Sequence, residues 1–453
     1  MAEEIITALA TAWGEGGIAI VRVSGEGCAL LVDKMFRAKR RFSEQPARYM
    51  ALGTLHAKDG TLFDEVLAVR FERGNSYTGE ESAEIHCHGG ALSAQRCVEE
   101  LCALGARMAL PGEFTRRAFV NGRIDLAQAE AVAGIIKARS DEALAASARS
   151  LQGSFTEQIR GLMDSLTELT AALEVDLDFP EEGEGFITDG ESAERIKKLS
   201  GRCEELLSGC RSGMLLRDGV RAAIIGRPNV GKSSLLNALL AENRAIVTAT
   251  PGTTRDSIEE TFIYKGLPVR IIDTAGIRAT EDEIEAIGVR RSLKSMAEAD
   301  IILRVIDSSE SAAEDEIGPL SAEKKQIVIL NKNDLSTRTT EADVEALFPG
   351  CPRISISAAD GTGVDELKEL IVRTALSGGS VSGGCSVTAR QVECLSRTKE
   401  AVEAAGEALL SDLGDDLVLS CLAEARGQLS SLLGLDASEE LLDKIFGSFC
   451  VGK

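Results

Sequence analysis

The chain has little proline and little histidine, with 9 prolines and 3 histidines in 453 residues. Few prolines and a hydrophobic content of 44% predict a folded protein that is rich in helix. Three histidines leave little material for a histidine-based metal centre. His86-Cys87-His88 places two of them together, but no partnering pair occurs elsewhere, so we do not expect a metal site there.

The 11 cysteines form no Cys-x-x-Cys pair, and their number is odd. This pattern argues against both a disulfide framework and a zinc site, and it fits a reducing cytoplasm. No apolar run approaches the roughly 18 residues of a membrane span. The first residues also lack the basic and apolar regions of a signal peptide. The sequence therefore predicts a cytoplasmic protein without a membrane segment.

Basic residues are outnumbered by acidic ones, with 50 Lys and Arg against 72 Asp and Glu, for a net charge of −22. Such an excess of negative charge disfavours a protein that coats nucleic acid by bulk electrostatics. Any contact with RNA must then use a local basic patch or a basic partner.

The residues from Gly226 to Ser233 match the phosphate-binding pattern G-x-x-x-x-G-K-[ST]. The apolar run Ala222–Ile225 precedes them and predicts a strand, and Ser234–Leu240 follows and predicts a helix. Glycines let the loop curl so that backbone N–H groups and the helix N-terminus point at phosphate oxygens. Lys232 then supplies charge to the β- and γ-phosphates, and the Ser233 hydroxyl binds Mg²⁺. This pattern predicts a nucleoside triphosphatase and leaves the base open.

The base is indicated by Asn331-Lys-Asn-Asp334, which follows the predicted strand Gln326–Leu330. The Asp334 carboxylate can accept two hydrogen bonds from the N1–H and N2–H₂ groups of guanine, which adenine lacks. The Asn331 amide can donate to and accept from a purine edge. Ser357-Ala358 predicts a loop that packs on the base. Together these residues predict a guanine-nucleotide-binding domain.

Two further loops match motifs of guanine-nucleotide-binding domains and occur in the expected order along the chain. Asp273-Thr-Ala-Gly276 follows the predicted strand Val269–Ile272, with Asp273 near the metal and the Gly276 amide near the γ-phosphate. Thr253-Thr254 supplies the threonine that closes over Mg²⁺ in the triphosphate state of such domains.

The sequence departs from the Ras-like pattern at the position that orients the attacking water. Ile277 stands where a glutamine is usual, so water must be positioned by another residue. An acidic run downstream offers carboxylates for that task, or it is a solvated helix start with favourable charges. Its members are Glu281, Asp282, Glu283 and Glu285. Asn229, inside the phosphate loop, either ligates a monovalent cation in place of an arginine finger or only forms the loop.

The predicted secondary structure changes along the chain. Strand-like runs such as Ile18–Val23 and Glu65–Phe71 predict a mixed α/β domain at the N-terminus. Helical spacing predominates between Asp125 and Asp178 and again after Ala389. Helices on both sides of the GTPase motifs predict one helical domain into which the GTPase domain is inserted. The predicted segments are 1–118 for the N-terminal domain, 119–217 and 379–453 for the two helical parts, and 218–378 for the GTPase domain.

The end of the chain gives two weaker signals. Asp436, with Glu439 three residues on, predicts the N-cap of a short amphipathic helix that contains Leu441–Phe446. Cys450-Val-Gly-Lys453 follows it, and a chain end of this kind is usually disordered.

Several segments carry a resemblance to a known family, and they occur in order over the whole chain. They are Asn75–Glu80, His88–Gly90, Pro111–Phe119, Asp125–Glu130 and the terminal Phe449–Lys453. With the GTPase motifs, they resemble the tRNA modification GTPase family MnmE, also called TrmE. The resemblance implies an N-terminal folate-binding α/β domain, a helical bundle domain and a P-loop GTPase domain of Ras-like α/β fold inserted in it. It also implies a homodimer.

The resemblance further implies a reaction. With a flavin-dependent, FAD-containing partner, MnmG, such proteins install a carboxymethylaminomethyl or aminomethyl group at C5 of the wobble uridine, position 34, of certain tRNAs. A reduced folate, either 5-formyl- or methylenetetrahydrofolate, serves as cofactor beside GTP, Mg²⁺ and K⁺. The implied assembly with MnmG is a heterotetramer.

The family's functional residues carry over onto matching positions of this sequence. The catalytic candidates are Glu285, which orients water, and Cys450, which modification requires. The folate candidates are Arg22, Glu84, Arg123 and Lys453. The potassium ligands are Asn229, Thr248, Thr250 and Thr253, and the magnesium ligands are Ser233 and Thr254. The nucleotide-binding set adds Val230, Gly231, Lys232, Ser234, Ala249, Pro251, Gly252, Asp273, Thr274, Ala275, Gly276, Asn331, Lys332, Asp334, Ser357 and Ala358.

Two other readings share the GTPase motifs. One is an RNA-binding GTPase of ribosome assembly with no modification chemistry, which usually carries a basic RNA-binding domain beside the GTPase. The other is a signalling or translation GTPase, which lacks support here because no β-barrel domain is expected after the GTPase domain. Binding of folate would separate both from the MnmE reading.

Overall fold

The computed structural model divides into two compact units. The first comprises Met1–Ala133, Thr156–Thr167 and Leu422–Lys453, and the second comprises Gly134–Phe155 and Glu168–Cys421. Within the part of the chain that is described, no helix combines the length and the apolar character needed to cross a lipid bilayer. The described residues are 4–178, 188–241, 260–272, 298–311, 324–376, 384–411 and 413–453.

The first unit contains a seven-stranded sheet in the order β3-β4-β5-β6-β2-β1-β7. Every neighbouring pair is antiparallel except β1 and β7, which run parallel. Side chains alternate across β2, so Val21 and Val23 enter the core while Arg22 stays on the other face. The strands are β1 (Ile6–Leu9), β2 (Ile18–Ser24), β3 (Phe36–Arg37), β4 (Ala51–His56), β5 (Leu62–Phe71), β6 (Ser82–His88) and β7 (Arg107–Met108).

The second unit contains a six-stranded sheet in the order β13-β12-β11-β8-β10-β9. All its neighbouring strands are parallel except β9, which pairs antiparallel with β10. The strands are β8 (Val220–Ile225), β9 (Glu260–Tyr264), β10 (Leu267–Ile272), β11 (Ile301–Asp307), β12 (Lys325–Asn331) and β13 (Arg353–Ser355). In open sheets of this kind, ligands bind at the carboxyl ends of the parallel strands.

Helices make up much of the remaining described chain. In the described residues they are α1 (Cys28–Val32), α2 (Ala91–Ala103), α3 (Glu113–Val120), α4 (Leu126–Lys137), α5 (Asp141–Leu151), α6 (Ser154–Asp178), α7 (Asp189–Asp218), α8 (Lys232–Leu240), α9 (Glu341–Leu347), α10 (Val364–Ala375), α11 (Ala389–Leu410), α12 (Asp415–Leu433) and α13 (Glu439–Phe446). The predicted helical tract from Asp125 to Asp178 is thus three helices. Ser140, whose hydroxyl accepts from the Ala143 amide, starts α5 anew after α4, and Gly153, at φ 96°, separates α5 from α6.

Helix α7, which precedes the six-stranded sheet in the sequence, packs against α11, which follows it. Lys399 of α11 forms an ion pair of 2.7 Å with Glu204 of α7, and Ser200 donates to Glu403 over 3.0 Å. Residue numbers rise along α7 as their partners' numbers fall along α11, so the two helices run antiparallel. The residues of the sheet therefore lie between two paired helices in the sequence, as predicted for a domain inserted in a helical domain.

The cap predicted for the terminal helix is wrong. Helix α13 begins at Glu439, and its N-cap is Ser438, whose hydroxyl accepts a hydrogen bond of 3.3 Å from the Leu441 amide. Asp436 lies two residues too early to meet the free amides of the first turn.

Candidate functional site

The phosphate loop lies between β8 and α8, which confirms the predicted strand–loop–helix frame. Asn229, at φ 62°, and Gly231, at φ 97°, adopt left-handed backbone conformations. A Cβ on Gly231 would lie 2.2 Å from the Asn331 side-chain nitrogen, so only glycine fits there. Lys232 donates from Nζ to the Gly226 carbonyl over 2.7 Å and to the Arg227 carbonyl over 2.6 Å. The ammonium group is thus held over the loop, whose backbone amides can bind a phosphate.

Asn331 connects three loops. Its side chain is buried, at 2% exposure, and its Nδ2 donates to the Val230 carbonyl of the phosphate loop over 2.8 Å. Its Oδ1 accepts from the Ala358 amide over 3.0 Å. The amide therefore ties the phosphate loop to the loops after β12 and β13. The direct purine contact expected for Asn331 stays a prediction.

Asp334 is positioned by the loop after β13. Ser357, which is buried, donates from Oγ to Asp334 Oδ1 over 2.7 Å. The Asp334 side chain is exposed, so its carboxylate is oriented and still accessible to a base. The structure thus brings the Asn331–Asp334 loop to Ser357 and Ala358, although more than twenty positions separate the two segments in the sequence.

Asp307 is a residue of this site that the sequence analysis missed. It ends β11 opposite Asn331, and its Oδ2 lies 2.5 Å from the Lys332 Nζ. Its side chain is 6% exposed, and its Oδ1 also accepts from the Ser309 amide and hydroxyl. Burial alone would raise the pKa of Asp307, but the bonds from Lys332 and Ser309 outweigh it and hold the pKa below its ordinary value. The carboxylate is therefore an ionised anchor for Lys332.

Replacing Asp307 by asparagine is expected to weaken nucleotide binding about ten-fold, with little change in kcat. A charge-assisted hydrogen bond contributes about 1.5–3 kcal/mol, and partial exposure of Lys332 places this one at the lower end. Titration with GDP and the KM for GTP measure the effect. Asp343→Asn is the control, because that exposed carboxylate accepts from the Thr340 amide and hydroxyl at the start of α9. Equal affinity in Asp307→Asn and the wild type would contradict the assignment.

Other predicted nucleotide residues lie outside the described part of the chain. They are Thr248, Ala249, Thr250, Pro251, Gly252, Thr253, Thr254, Asp273, Thr274, Ala275, Gly276 and Glu285. Ser233 and Ser234, at the start of α8, are described and are exposed.

A second cluster of predicted residues forms in the first unit, on the face of the seven-stranded sheet opposite its core. Arg22 and Glu84 are direct neighbours across β2 and β6. The Arg22 Nε and Nη2 donate to Glu84 Oε1 over 3.0 and 2.9 Å, and the two side chains are 13% and 21% exposed. The pair is thus mostly buried and consists of one cation and one carboxylate.

Tyr77 joins this cluster, and no role had been assigned to it from the sequence. The Arg22 guanidinium lies 4.8 Å from the centre of the Tyr77 ring, and the Arg123 guanidinium lies 5.5 Å from it. Arg123 also donates to the Tyr77 carbonyl. The ring therefore lies against both arginines within cation–π distance.

The terminal segment is packed, so the expectation of a disordered chain end is wrong. Gly452, at φ 95°, is buried, and a Cβ there would lie 2.1 Å from the Leu9 carbonyl of β1. The Gly452 carbonyl accepts from Arg22 Nη1 over 3.4 Å. The Phe449 ring packs 5.6 Å from that of Phe446. These contacts bring the terminal residues to the Arg22–Glu84 pair.

Lys453 and Cys450 lie at this cluster. Burial, and then the nearby positive charge of Arg22, lower the pKa of Lys453. The four predicted folate residues Arg22, Glu84, Arg123 and Lys453 are thus close together. All 11 cysteines are in the described part of the chain, and Cys450 is the exposed one among them. Its thiol is therefore accessible beside the cluster.

A phosphate loop after a central parallel strand, together with a guanine-reading loop after β12, defines a P-loop protein of the guanine-nucleotide-binding class. A family model described as the MnmE helical domain matches residues 126–450. A second model, described as the GTP-binding protein TrmE N-terminus, matches residues 5–123. The chain belongs to the MnmE family. The predicted multidomain α/β fold, with a GTPase domain inserted in a helical domain, is thereby confirmed.

Curated relatives match over the full length. The tRNA modification GTPase MnmE of Symbiobacterium thermophilum is 42% identical, and the alignment covers 100% of both chains. The tRNA modification GTPase MnmE of Aquifex aeolicus is also 42% identical, over 99% of this chain and 100% of that one. Among solved structures, the G domain of the T. maritima FeoB iron transporter is 32% identical over 34% of this chain and 98% of that chain. The TM-score of this match is 0.26.

Proposed function

We propose that this chain is a GTP-hydrolysing enzyme of tRNA modification. With the flavin-dependent partner MnmG, it adds a carboxymethylaminomethyl or aminomethyl group to C5 of the wobble uridine of certain tRNAs. The observation that supports this best is the joining of a guanine-nucleotide site to a full-length match with relatives named tRNA modification GTPase. The proposal includes a cytoplasmic homodimer and a heterotetramer with MnmG.

Mass analysis of tRNA nucleosides tests this function directly. Cells that lack the protein should lose the modified uridine, and the wild-type gene should restore it. Unchanged nucleosides in the deletion strain would rule the function out.

In the nucleotide site, the loop amides and Lys232 hold the phosphates of GTP, and Asp334 reads the guanine edge. Ser233 and Thr254 hold Mg²⁺, and Asn229 with Thr248, Thr250 and Thr253 holds K⁺. The donors in both sets are hydroxyl and amide oxygens, which suit these hard cations. Asn229 is exposed on the left-handed turn of the loop, where its side chain can reach a cation beside the phosphates. A bound cation supplies positive charge where negative charge builds up during hydrolysis.

The cluster in the first unit takes the reduced folate. Glu84 is a carboxylate that can accept from the amino group and ring N–H of a pterin. Arg22, Arg123 and Lys453 are cations suited to the carboxylates of the folate tail. Tyr77 offers an aromatic face beside both arginines. The donor set therefore fits a flat, hydrogen-bonding ring with an anionic tail.

Arg22→Ala is expected to lower the affinity for 5-formyltetrahydrofolate at least about ten-fold, because it removes a cation and frees Glu84 from its partner. Calorimetry on the full chain measures the loss. Arg73→Ala, an exposed arginine of the same unit, is the control and should bind like the wild type. No heat from the wild type, or unchanged affinity in Arg22→Ala, would refute the folate site. Equal thermal unfolding midpoints would exclude misfolding as the cause.

A further inference from the structure

The stretch Lys34–Arg41, called the basic segment below, is strongly positive in a chain of net charge −22. No Asp or Glu occurs between Asp33 and Glu44. The cations of the segment are Lys34, Arg37, Lys39, Arg40 and Arg41. The local sign of charge is therefore opposite to that of the chain as a whole.

Among the residues that the structure describes, none pairs its charge with these five cations. All five side chains are exposed, and in the described part of the chain none of them lies in an ion pair. Arg22, Arg107 and Arg117 of the same unit are each paired with a carboxylate. The neighbouring Asp33 is already used, because it accepts from the Ser43 amide over 3.2 Å and from the Ser43 hydroxyl over 2.5 Å. The positive charge of the segment is thus available to an external anion.

The backbone of the basic segment is held in place. Phe36 and Phe42 flank the last four cations, are 4% and 0% exposed, and pack edge to face with ring centres 5.7 Å apart. Phe36 also pairs with Leu55 across β3 and β4, and Gln45 donates to the Arg40 carbonyl over 3.3 Å. Two buried anchors therefore fix the segment at the edge of the sheet with its cations outward. Because this backbone is already ordered, binding a partner costs little conformational entropy of the segment.

We propose that the basic segment binds the phosphate backbone of tRNA, an inference that rests on the proposed function. An RNA backbone offers a row of phosphates, and arginine and lysine bind it through charge and counterion release. The acidic remainder of the chain repels the same polyanion, so the segment also decides which face meets the RNA. Three arginines in five residues can form bidentate contacts with phosphate oxygens.

Binding of an unmodified tRNA transcript to the full-length protein tests the inference. The variant carries Arg37→Gln, Lys39→Gln, Arg40→Gln and Arg41→Gln, and fluorescence anisotropy is measured between 50 and 200 mM KCl. Four lost phosphate contacts should lower the slope of log K against log salt by about 3. At the lower salt concentrations, Kd should rise at least about ten-fold. GTP hydrolysis and the thermal unfolding midpoint should stay as in the wild type.

A matched pair of variants separates the segment from a general effect of charge. Lys34→Gln with Lys39→Gln removes two lysines from the segment, and Lys197→Gln with Lys198→Gln removes two exposed lysines from α7. The first pair should weaken tRNA binding and flatten its salt dependence, while the second should change neither.

The outcomes distinguish this inference from the proposed function. If the wild type binds tRNA and the fourfold variant binds it equally well, the inference is wrong and the function stands. The inference would also be wrong if the variant bound tRNA normally but had lost binding to an acidic protein. If the wild type does not bind tRNA and cells without the protein keep the modified uridine, both fail.

Discussion

Replacement of Cys450 by serine will remove the modified wobble uridine and leave GTP turnover near the wild-type rate. Cys450 lies outside the GTPase segment, and its thiol is exposed in a terminal segment whose backbone is fixed. The serine hydroxyl has nearly the same size but is a much weaker nucleophile than a thiol. Nucleoside mass analysis of complemented deletion cells, with GTP hydrolysis by the purified variant, measures both effects.

Cys102→Ser is the matched control for this experiment, because Cys102 belongs to the same unit and is partly exposed on α2. It should keep both activities. Modified uridine that persists at wild-type level in Cys450→Ser would show that the residue is structural. Loss of GTP turnover in the same variant would contradict the separation of the two functions.

GTP hydrolysis will depend on potassium and on Glu285. Ile277 cannot orient a water molecule. Nothing in the sequence indicates an intrinsic arginine finger, a residue that raises the hydrolysis rate about 10³–10⁵-fold in other GTPases. In the proposed mechanism, potassium at Asn229 would supply the missing charge, and the Glu285 carboxylate would position the water. Turnover should rise with potassium and little with sodium, which is too small for the same cage of oxygens. Glu285→Ala should lose about 10³ in kcat and keep its affinity for GTP.

Glu283→Ala is the control for the acidic run, since it removes the same group two residues away. Two GTPase domains should associate only with potassium and a transition-state mimic, which sedimentation can measure. Equal rates in sodium and potassium, or a fully active Glu285→Ala, would overturn this mechanism.

The sequence was sufficient to predict local features whose cause is also local. The phosphate loop needs glycine at Gly231, and the strand and helix that flank it follow from apolar runs, so its frame was predictable. The cap of α13 failed although its cause is local, because Ser438 and Asp436 are both good capping residues and only the helix start decides between them.

Contacts between distant positions were not predictable from the residues. The Asp307–Lys332 pair depends on the register of β11 and β12, which no local pattern specifies. Tyr77 meets Arg22 only because the sheet of the first unit and the loop after β5 are folded together. The packing of Gly452 on Leu9 joins residues more than four hundred positions apart.

The antiparallel pairing of α7 with α11 has a consequence in polymer terms. Because Glu204 and Lys399 are joined, the intervening chain is a closed loop whenever the helical pair is intact. A stretch that unfolds within such a loop gains less conformational entropy than a chain with free ends. If the pair behaved as a permanent cross-link, the difference would be on the order of 5 kcal/mol. The helical pair thus disfavours unfolding of the six-stranded sheet through chain entropy, in addition to the direct contacts of α7 with β10.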